Sequence, residues 1–276
     1  MSILQLPHDK PAAVLIDWHA TLVDTHDAMY HAVDDVLPRL KELGLWDRLL
    51  KPEQSKTIED AKLVKYVREH NKLYHKITDQ RKISRTDIFE VLFGSDCDAK
   101  RRIHHAFDDC YKKYVDEVHP LEKDIRVQLE RLRQSGVPVG LISNRKREFL
   151  EHELRIVDGD GWQDLFDVIV CGDDVEHRKP APDMLLKALE KLGLTPAENC
   201  WYVGDSTTDV IAAKEAGITA IFYNGAGWPD SWLDKIFPNT VSHPHRPDAV
   251  VTSIADLVHL SRVMLAQGKR VERARG

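Results

Sequence analysis

The 276-residue sequence has no apolar run long enough to cross a bilayer, and its first ten residues contain no apolar segment typical of a secretory signal. Its four cysteines are widely spaced and form no CxxC pair, which argues against a zinc site and a disulfide framework. Excess basic charge is also missing, since the net charge is -6, and binding to nucleic acid relies on clustered Lys and Arg. We therefore expect a cytoplasmic protein with free thiols and with neither a nucleic-acid nor a membrane partner.

Short apolar runs of strand length alternate with helical patterns in most of the chain. The predicted strands are 12–16, 137–142, 167–171, 200–203, 219–223 and 249–251. The predicted helices after residue 120 are 125–132, 148–156, 182–192, 208–216 and 254–266. Strands that alternate with helices form βαβ units, which build parallel sheets. The pattern predicts an α/β protein with a doubly wound parallel sheet of the Rossmann-like kind.

Residues 25–118 interrupt this alternation, because they contain helical stripes and no strand pattern. We predict an all-helical insert at 25–118 and a core formed by residues 1–24 and 119–276. Residues 51–85 within the insert carry ten Lys and Arg against five Asp and Glu. This basic face is either solvated surface or a site for an acidic group of a substrate. The candidates for the second role are Lys56, Lys62, Arg81, Lys82 and Arg85.

Polar side chains stand where four predicted strands end. These positions are Asp17 with His19 and Thr21, Ser143 with Asn144, Lys179, and Asp205 with Asp209. The carboxyl ends of parallel strands lie along one edge of a sheet, and open α/β sheets bind their ligands at that edge. We expect these side chains to converge there although they are spread from residue 17 to residue 209.

The residue types in this group suit phosphoryl transfer. Asp17 is the candidate nucleophile, and an anionic phosphate repels a carboxylate unless positive charge offsets the repulsion. A divalent cation held by Asp17 and Asp205 can supply that charge. Lys179 adds a point charge, and the Ser143 hydroxyl adds a donor to a phosphate oxygen. Phosphoryl transfer needs mainly positioning and charge neutralisation, which this group provides.

The same motifs resemble those of the haloacid dehalogenase-like superfamily, in particular its phosphoglycolate phosphatase type. The first motif of that family, DxDGTLxDS, is matched here by DWHATLVDT. The second, third and fourth motifs are matched by ISN, RKPAPD and GDSTTDVIAAKEAG, in the family's order. The resemblance covers essentially the whole chain and implies that the helical insert is a mobile cap, which closes over the active site and selects the substrate.

The resemblance implies a magnesium site and a covalent intermediate. It implies that Asp17 attacks phosphorus and becomes an aspartyl-phosphate. Mg²⁺ would be bound by the Asp17 carboxylate, the backbone carbonyl of His19 and Asp205, with Asp209 in or beside that ligand set. The substrate would be a small phosphorylated metabolite, and the protein a monomer or a homodimer.

The resemblance also implies a phosphate-binding group. Ser143 and Lys179 would hold the phosphate, and Lys179 would orient Asp17 as well. Thr21 and Asn144 belong to the same predicted group.

The sequence departs from the family at His19, where its phosphatases carry a second Asp that gives and takes the proton. Imidazole is a competent general acid and base near neutral pH, so the first interpretation keeps phosphomonoester hydrolysis with His19 in that role. A second interpretation is a C–P bond hydrolase. The first motif here resembles that of phosphonoacetaldehyde hydrolases, which starts DWAGT, and those enzymes form a Schiff base on a lysine of the cap. Lys51, Lys56 and Lys62 are candidates for that lysine. A third is a weakened enzyme that binds a phosphorylated ligand. Ala20 also replaces a glycine that both groups carry.

Overall fold

The structure is a computed structural model that describes residues 2–3, 10–74, 84–241 and 243–275, with side chains described for 10–74, 84–241 and 243–264. The chain divides into two compact units. The core unit consists of Met1–Asp24 and His119–Gly276, and the helical unit consists of Thr25–Val118. No helix in the described part has the length and apolarity that a membrane span requires.

The core unit is built on one mixed sheet. The strands in the described residues are β1 (Ser2–Ile3), β2 (Ala13–Asp17), β3 (Val23–Asp24), β4 (His119–Pro120), β5 (Val139–Ser143), β6 (Val168–Cys171), β7 (Cys200–Gly204), β8 (Thr219–Tyr223) and β9 (Ala249–Val251). Seven of them pair in the order β1-β9-β8-β7-β2-β5-β6. Six of these are parallel, and β1 pairs with β9 in the antiparallel direction. The predicted α/β fold class is confirmed.

The α-helices complete both units. In chain order, those in the described residues are α1 (His26–Val36), α2 (Ile58–His70), α3 (Arg85–Phe93), α4 (Cys97–Tyr111), α5 (Ile125–Gln134), α6 (Arg147–Ile156), α7 (Asp183–Lys191), α8 (Thr207–Glu215), α9 (Asp230–Ile236) and α10 (Ile254–Arg275). Helix α7 packs on β5 and β6, α8 packs on β7 and β8, and α10 packs on α5. Strands β2, β5, β7 and β8 are buried along their whole length, as expected for a parallel sheet covered on both faces.

The helical unit contains α1 to α4, and its α-helices end earlier than their apolar stripes suggest. Helix α4 buries Ile103, Phe107 and Cys110 on one face but ends at Tyr111, although the stripe continues to Val118. Helix α2 ends at His70 because Asn71 adopts the left-handed conformation, with a φ of 54°. Periodicity therefore identified the buried face of α4 correctly and overestimated the length of that helix.

A two-stranded ribbon lies where the chain leaves and re-enters the core unit. Strand β3 pairs with β4 in the antiparallel direction, with Val23 opposite Pro120 and Asp24 opposite His119. The sequence did not predict this ribbon, because two residues are too few to show an alternating pattern.

Candidate active site

The carboxyl edge of the sheet brings the predicted site residues together. Strand β2 lies between β5 and β7, so the ends of these three strands are neighbours. Asp17 is the last residue of β2, Ser143 is the last residue of β5, and Asp205 follows β7 directly. Asp17 and Ser143 are buried and Asp205 is half-buried. The structure thus places a carboxylate, a hydroxyl and a second carboxylate side by side at this edge.

Lys179 joins this group from the segment before α7. Its Nζ donates to Asp17 Oδ1 at 2.6 Å, to Asp209 Oδ1 at 2.7 Å and to the Tyr202 hydroxyl at 2.7 Å. An ammonium group has three protons, so these three acceptors use its full donor capacity. A direct hydrogen bond from Lys179 to a phosphate therefore requires one of them to be exchanged. In the observed conformation Lys179 acts on Asp17 through charge and orientation.

Asp209 is buried, and both of its oxygens accept hydrogen bonds. Oδ1 accepts from Lys179 and, at 2.8 Å, from the Tyr202 hydroxyl, while Oδ2 accepts from the backbone N–H and the hydroxyl of Ser206. The backbone of Gly204 lies against this carboxylate, since a Cβ there would approach the Asp209 carboxyl carbon to 2.3 Å. These bonds occupy both oxygens of Asp209, and its place in or beside the metal ligand set stays a prediction.

Three carboxylates compete for one ammonium group in this cluster. One carboxylate oxygen from each of Asp17, Asp205 and Asp209 lies within 4.8 Å of the other two. Burial raises the pKa of Asp17 to about 6 against the attraction of Lys179, and Asp209 adds to the rise. Burial and repulsion from Asp209 and Asp17 also hold the pKa of Asp205 well above its usual range. We call Asp17, Asp205, Asp209 and Lys179 the carboxylate cluster. Its surplus of negative charge and its oxygen donors fit a hard divalent cation.

The residues predicted to bind phosphate have different surroundings. The buried Ser143 Oγ accepts from the Arg145 N–H at 3.3 Å. Thr21 is fully buried in the loop after β2, and its hydroxyl makes no hydrogen bond to the protein, which suits a group that meets a ligand oxygen. The Asn144 side chain is hydrogen-bonded to the backbone of Lys179. Its Nδ2 donates to the Lys179 carbonyl at 3.1 Å, and its Oδ1 accepts from the Lys179 N–H at 3.0 Å. Its side chain thus holds Lys179 in place, and phosphate binding by Asn144 stays a prediction.

His19 is half-buried in the same loop, where it forms an isolated bridge with Val23. Two roles of His19 stay predictions: that its backbone carbonyl binds the metal, and that its imidazole acts as general acid and base. Ala20, which follows, has a φ of 60°. A residue with a Cβ pays about 1 kcal/mol in this left-handed conformation, so the family's glycine would suit this turn better.

The basic candidate residues lie in the helical unit and were predicted for two roles. The candidates for binding an acidic group are Lys56, Lys62, Arg81, Lys82 and Arg85, and those for the lysine of a C–P bond hydrolase are Lys51, Lys56 and Lys62. Lys51 and Lys62 are exposed, and the exposed Lys56 lies 3.6 Å from Glu90. Arg85 pairs with Asp108 at 2.8 Å and lies over the Phe107 ring, so it belongs to the unit's own packing. The other two candidates, Arg81 and Lys82, lie outside the described residues.

The sequence predictions missed Tyr202 and three residues beneath the cluster, namely Trp18, Arg145 and Glu153. Tyr202 is buried in β7 and accepts from Lys179 while it donates to Asp209. A single tyrosine in an apolar strand was the available signal, because a buried phenol needs a polar partner. Trp18 donates from Nε1 to Glu153 Oε2 at 2.7 Å, and Arg145 pairs with Glu153 at 3.2 Å. Trp18 lies 135 positions from Glu153, so that contact depends on the tertiary fold.

Comparison with known proteins defines the class. The model of the haloacid dehalogenase-like hydrolase family matches residues 14–223, which includes every residue of the carboxylate cluster. The chain belongs to this family of hydrolases.

Curated relatives are similar over part of their length. A phosphoglycolate phosphatase of Yersinia pestis is 36% identical over 152 residues, which cover 55% of this chain and 60% of that protein. A phosphoglycolate phosphatase of Escherichia coli strain K12 is 34% identical over 158 residues, which cover 57% of this chain and 58% of that protein. The chain thus matches a little under two thirds of each relative.

Solved structures share the fold at lower identity. A HAD family hydrolase from Deinococcus radiodurans R1, with bound phosphate and sodium, superposes with a TM-score of 0.55 at 22% identity, covering 95% of this chain and 98% of that one. CbbY from Rhodobacter sphaeroides, in complex with phosphate, gives a TM-score of 0.54 at 18% identity, covering 90% and 96% of the two chains. At these identities the likeness supports the fold.

Proposed function

We propose that the protein is a magnesium-dependent phosphatase that hydrolyses a small organic phosphomonoester through an aspartyl-phosphate on Asp17. The observation that carries the proposal is the 2.6 Å bond from Lys179 Nζ to Asp17 Oδ1 within a cluster of three carboxylates and one ammonium group. The family membership and the phosphoglycolate phosphatases among its relatives support the same reaction class.

The residues divide the reaction between them. A carboxylate oxygen of Asp17 forms a bond to phosphorus as the bond between phosphorus and the ester oxygen breaks. The leaving ester oxygen takes up a proton. Water then attacks the phosphorus of the aspartyl-phosphate, releases inorganic phosphate and regenerates the carboxylate. His19 is our candidate to give the first proton and to receive one from the water. Lys179 orients Asp17, while the Ser143 and Thr21 hydroxyls donate to the phosphate oxygens.

Asp17 and Asp205 are the proposed protein carboxylate ligands of the magnesium ion. When bound, the ion supplies positive charge that offsets the repulsion between Asp17 and the phosphate. Asp209 supports this arrangement by holding Lys179. We assign the helical unit the role of a cap that selects the substrate, as the resemblance implies.

The test is turnover of an aryl phosphate, and of a panel that begins with phosphoglycolate, by wild type and Asp17→Asn in the presence of magnesium. We expect the substitution to lower kcat by at least about 10³-fold, because it removes the nucleophile. Acid quenching with a ³²P-labelled ester should trap label on the wild type and none on the variant. The control is Asp164→Asn, since the Asp164 side chain is 69% exposed, and it should behave as wild type. Equal activity in wild type and Asp17→Asn would refute the proposal.

A further inference from the structure

An ion pair between a half-buried arginine and a buried glutamate lies near the carboxyl edge of the sheet and takes no part in the chemistry proposed above. Arg145 Nη1 lies 3.2 Å from Glu153 Oε1, and the two side chains are 14% and 0% exposed. Arg145 stands in the loop between β5 and α6, and Glu153 stands two turns further along the chain on α6. We call Arg145 and Glu153 the support pair.

The second oxygen of Glu153 reaches the loop after β2. Oε2 accepts from the indole Nε1 of Trp18 at 2.7 Å, and Trp18 is fully buried. The Trp18 ring also packs edge-to-face against Trp162, with 5.8 Å between ring centroids. One carboxylate therefore bridges two loops that belong to neighbouring strands, β2 and β5.

Stability alone does not account for such a pair. Removing a carboxylate and a guanidinium from water costs several kcal/mol each, and apolar residues of similar volume are often as stable or more stable. A phenylalanine in place of Trp18 would need no acceptor at all. What the pair and the indole provide is a defined position for the two loops.

Both loops carry site residues next to the positions that are held. Trp18 follows Asp17 directly in the chain, and its backbone N–H opposes the rise in the pKa of the Asp17 carboxyl that burial causes. The Trp18 carbonyl accepts from the backbone N–H groups of Leu22 and Val23, at 3.0 and 3.1 Å, and so closes the turn that contains His19 and Thr21. On the other side, the Arg145 N–H donates to Ser143 Oγ, and the Arg145 carbonyl accepts from the Gly172 N–H at 2.8 Å.

We propose that Glu153 is a positioning residue that sets the Asp17 loop through Trp18 and the Ser143 loop through Arg145. The proposal rests on the proposed function for its kinetic consequence, because the aligned groups are the nucleophile and a phosphate donor. Its structural content, that the support pair determines where the Trp18 backbone lies, holds for any chemistry at this edge.

The experiment exchanges the support pair for apolar residues in R145M/E153M and compares it with K214M/D248M. The control pair also lies in the core unit, with 2.5 Å between Lys214 Nζ and Asp248 Oδ1, and its side chains are 29% and 22% exposed. With the best substrate of the panel, we expect kcat of R145M/E153M to fall about 10- to 100-fold, as for a misplacement on the ångström scale. We expect KM to stay within about threefold and the control pair to keep wild-type kcat.

Trp18→Phe tests the route through the indole. It should lower kcat by no more than the factor seen in R145M/E153M, because it breaks the bond to Trp18 and leaves the bond to Arg145. Adding it to that variant should cost little more, because the bond from Trp18 to Glu153 is already lost there. Full additivity of the two losses, or an unchanged kcat in R145M/E153M, would overturn the proposal.

A second readout does not depend on activity. Protein labelled with ¹⁵N-tryptophan gives backbone amide signals from its six tryptophans, and Trp18→Phe identifies those of Trp18. The Trp18 backbone amide should shift in R145M/E153M and stay in place in K214M/D248M. An unmoved signal would overturn the positioning role. Wild-type turnover no greater than that of Asp17→Asn would refute the proposed phosphatase function instead. The Trp18 amide signal in R145M/E153M would still show whether Glu153 positions the Trp18 backbone.

Discussion

Two buried groups of charges lie at the same edge of the sheet, and they are built differently. The carboxylate cluster sets three acids against Lys179, so its charges do not balance. The support pair sets one acid against one base, and the remaining oxygen of Glu153 is satisfied by Trp18. The cluster is left with a surplus of negative charge that attracts positive charge, while the two charges of the pair balance each other.

This difference separates chemistry from architecture. Burial, together with repulsion between the acids, raises the pKa of Asp17 and of Asp205, and groups with such shifts are typical of functional sites. Balanced buried charge has no such surplus, and its best-attested use is to specify one arrangement of the chain. The comparison is consistent with our two proposals, which give ligand and substrate binding to the cluster and loop positioning to the pair.

Removing the single cation of the cluster should have the largest effect on stability. Lys179→Met leaves three close carboxylates without their partner, and we expect the free energy of unfolding in urea to fall by about 3–5 kcal/mol at neutral pH without added metal. Lys187→Met is the control, since Lys187 donates to the Asp174 carbonyl, and its loss should cost about 1 kcal/mol. Equal losses in the two variants would show that the charges of the cluster are not coupled as we describe.

Magnesium should act on the cluster and not on the support pair. We expect Mg²⁺ to raise the free energy of unfolding by about 2.7 kcal/mol at a concentration 100 times its Kd, and EDTA to reverse the gain. Asp205→Asn should abolish most of the gain while leaving the metal-free protein at least as stable as wild type, because it removes one of three repelling carboxylates. Thermal unfolding with and without the ion measures both effects. A full magnesium response in Asp205→Asn would exclude that residue as a ligand.

Backbone strain beside the cluster should make the smallest contribution. Ala20→Gly should raise the free energy of unfolding by about 0.5–1 kcal/mol, because glycine adopts a φ of 60° without a clash. The matched substitution Ala61→Gly, in the interior of α2, should lower it by about 1 kcal/mol. If thermal unfolding shows both changes to be destabilising, the conformation at Ala20 is not strained.

The sequence predicted the parallel sheet and the convergence of Asp17, Ser143, Lys179 and Asp205 for one reason. Strand patterns locate the strand ends, and the topology of a parallel sheet brings those ends to one edge. It did not predict the ribbon of β3 and β4, which is too short for a pattern, or the early end of α4. The sequence also did not predict the hydrogen bond from Lys179 to the Tyr202 hydroxyl or those between the Asn144 side chain and the Lys179 backbone. Each depends on where a side chain points once the strands are packed.

The loop after β2 shows what the sequence by itself determines and what it leaves to the tertiary structure. The residues 17–22 determine that a carboxylate follows a buried strand and that a histidine stands two positions later, and these identities define the chemistry available. The tertiary structure decided which of these groups are hydrogen-bonded and which residues are their partners. Glu153 lies 135 residues from Trp18 and Lys179 lies 162 residues from Asp17. Hydrogen bonds act over about 3 Å, so such partners exist only after the sheet and its helices have assembled.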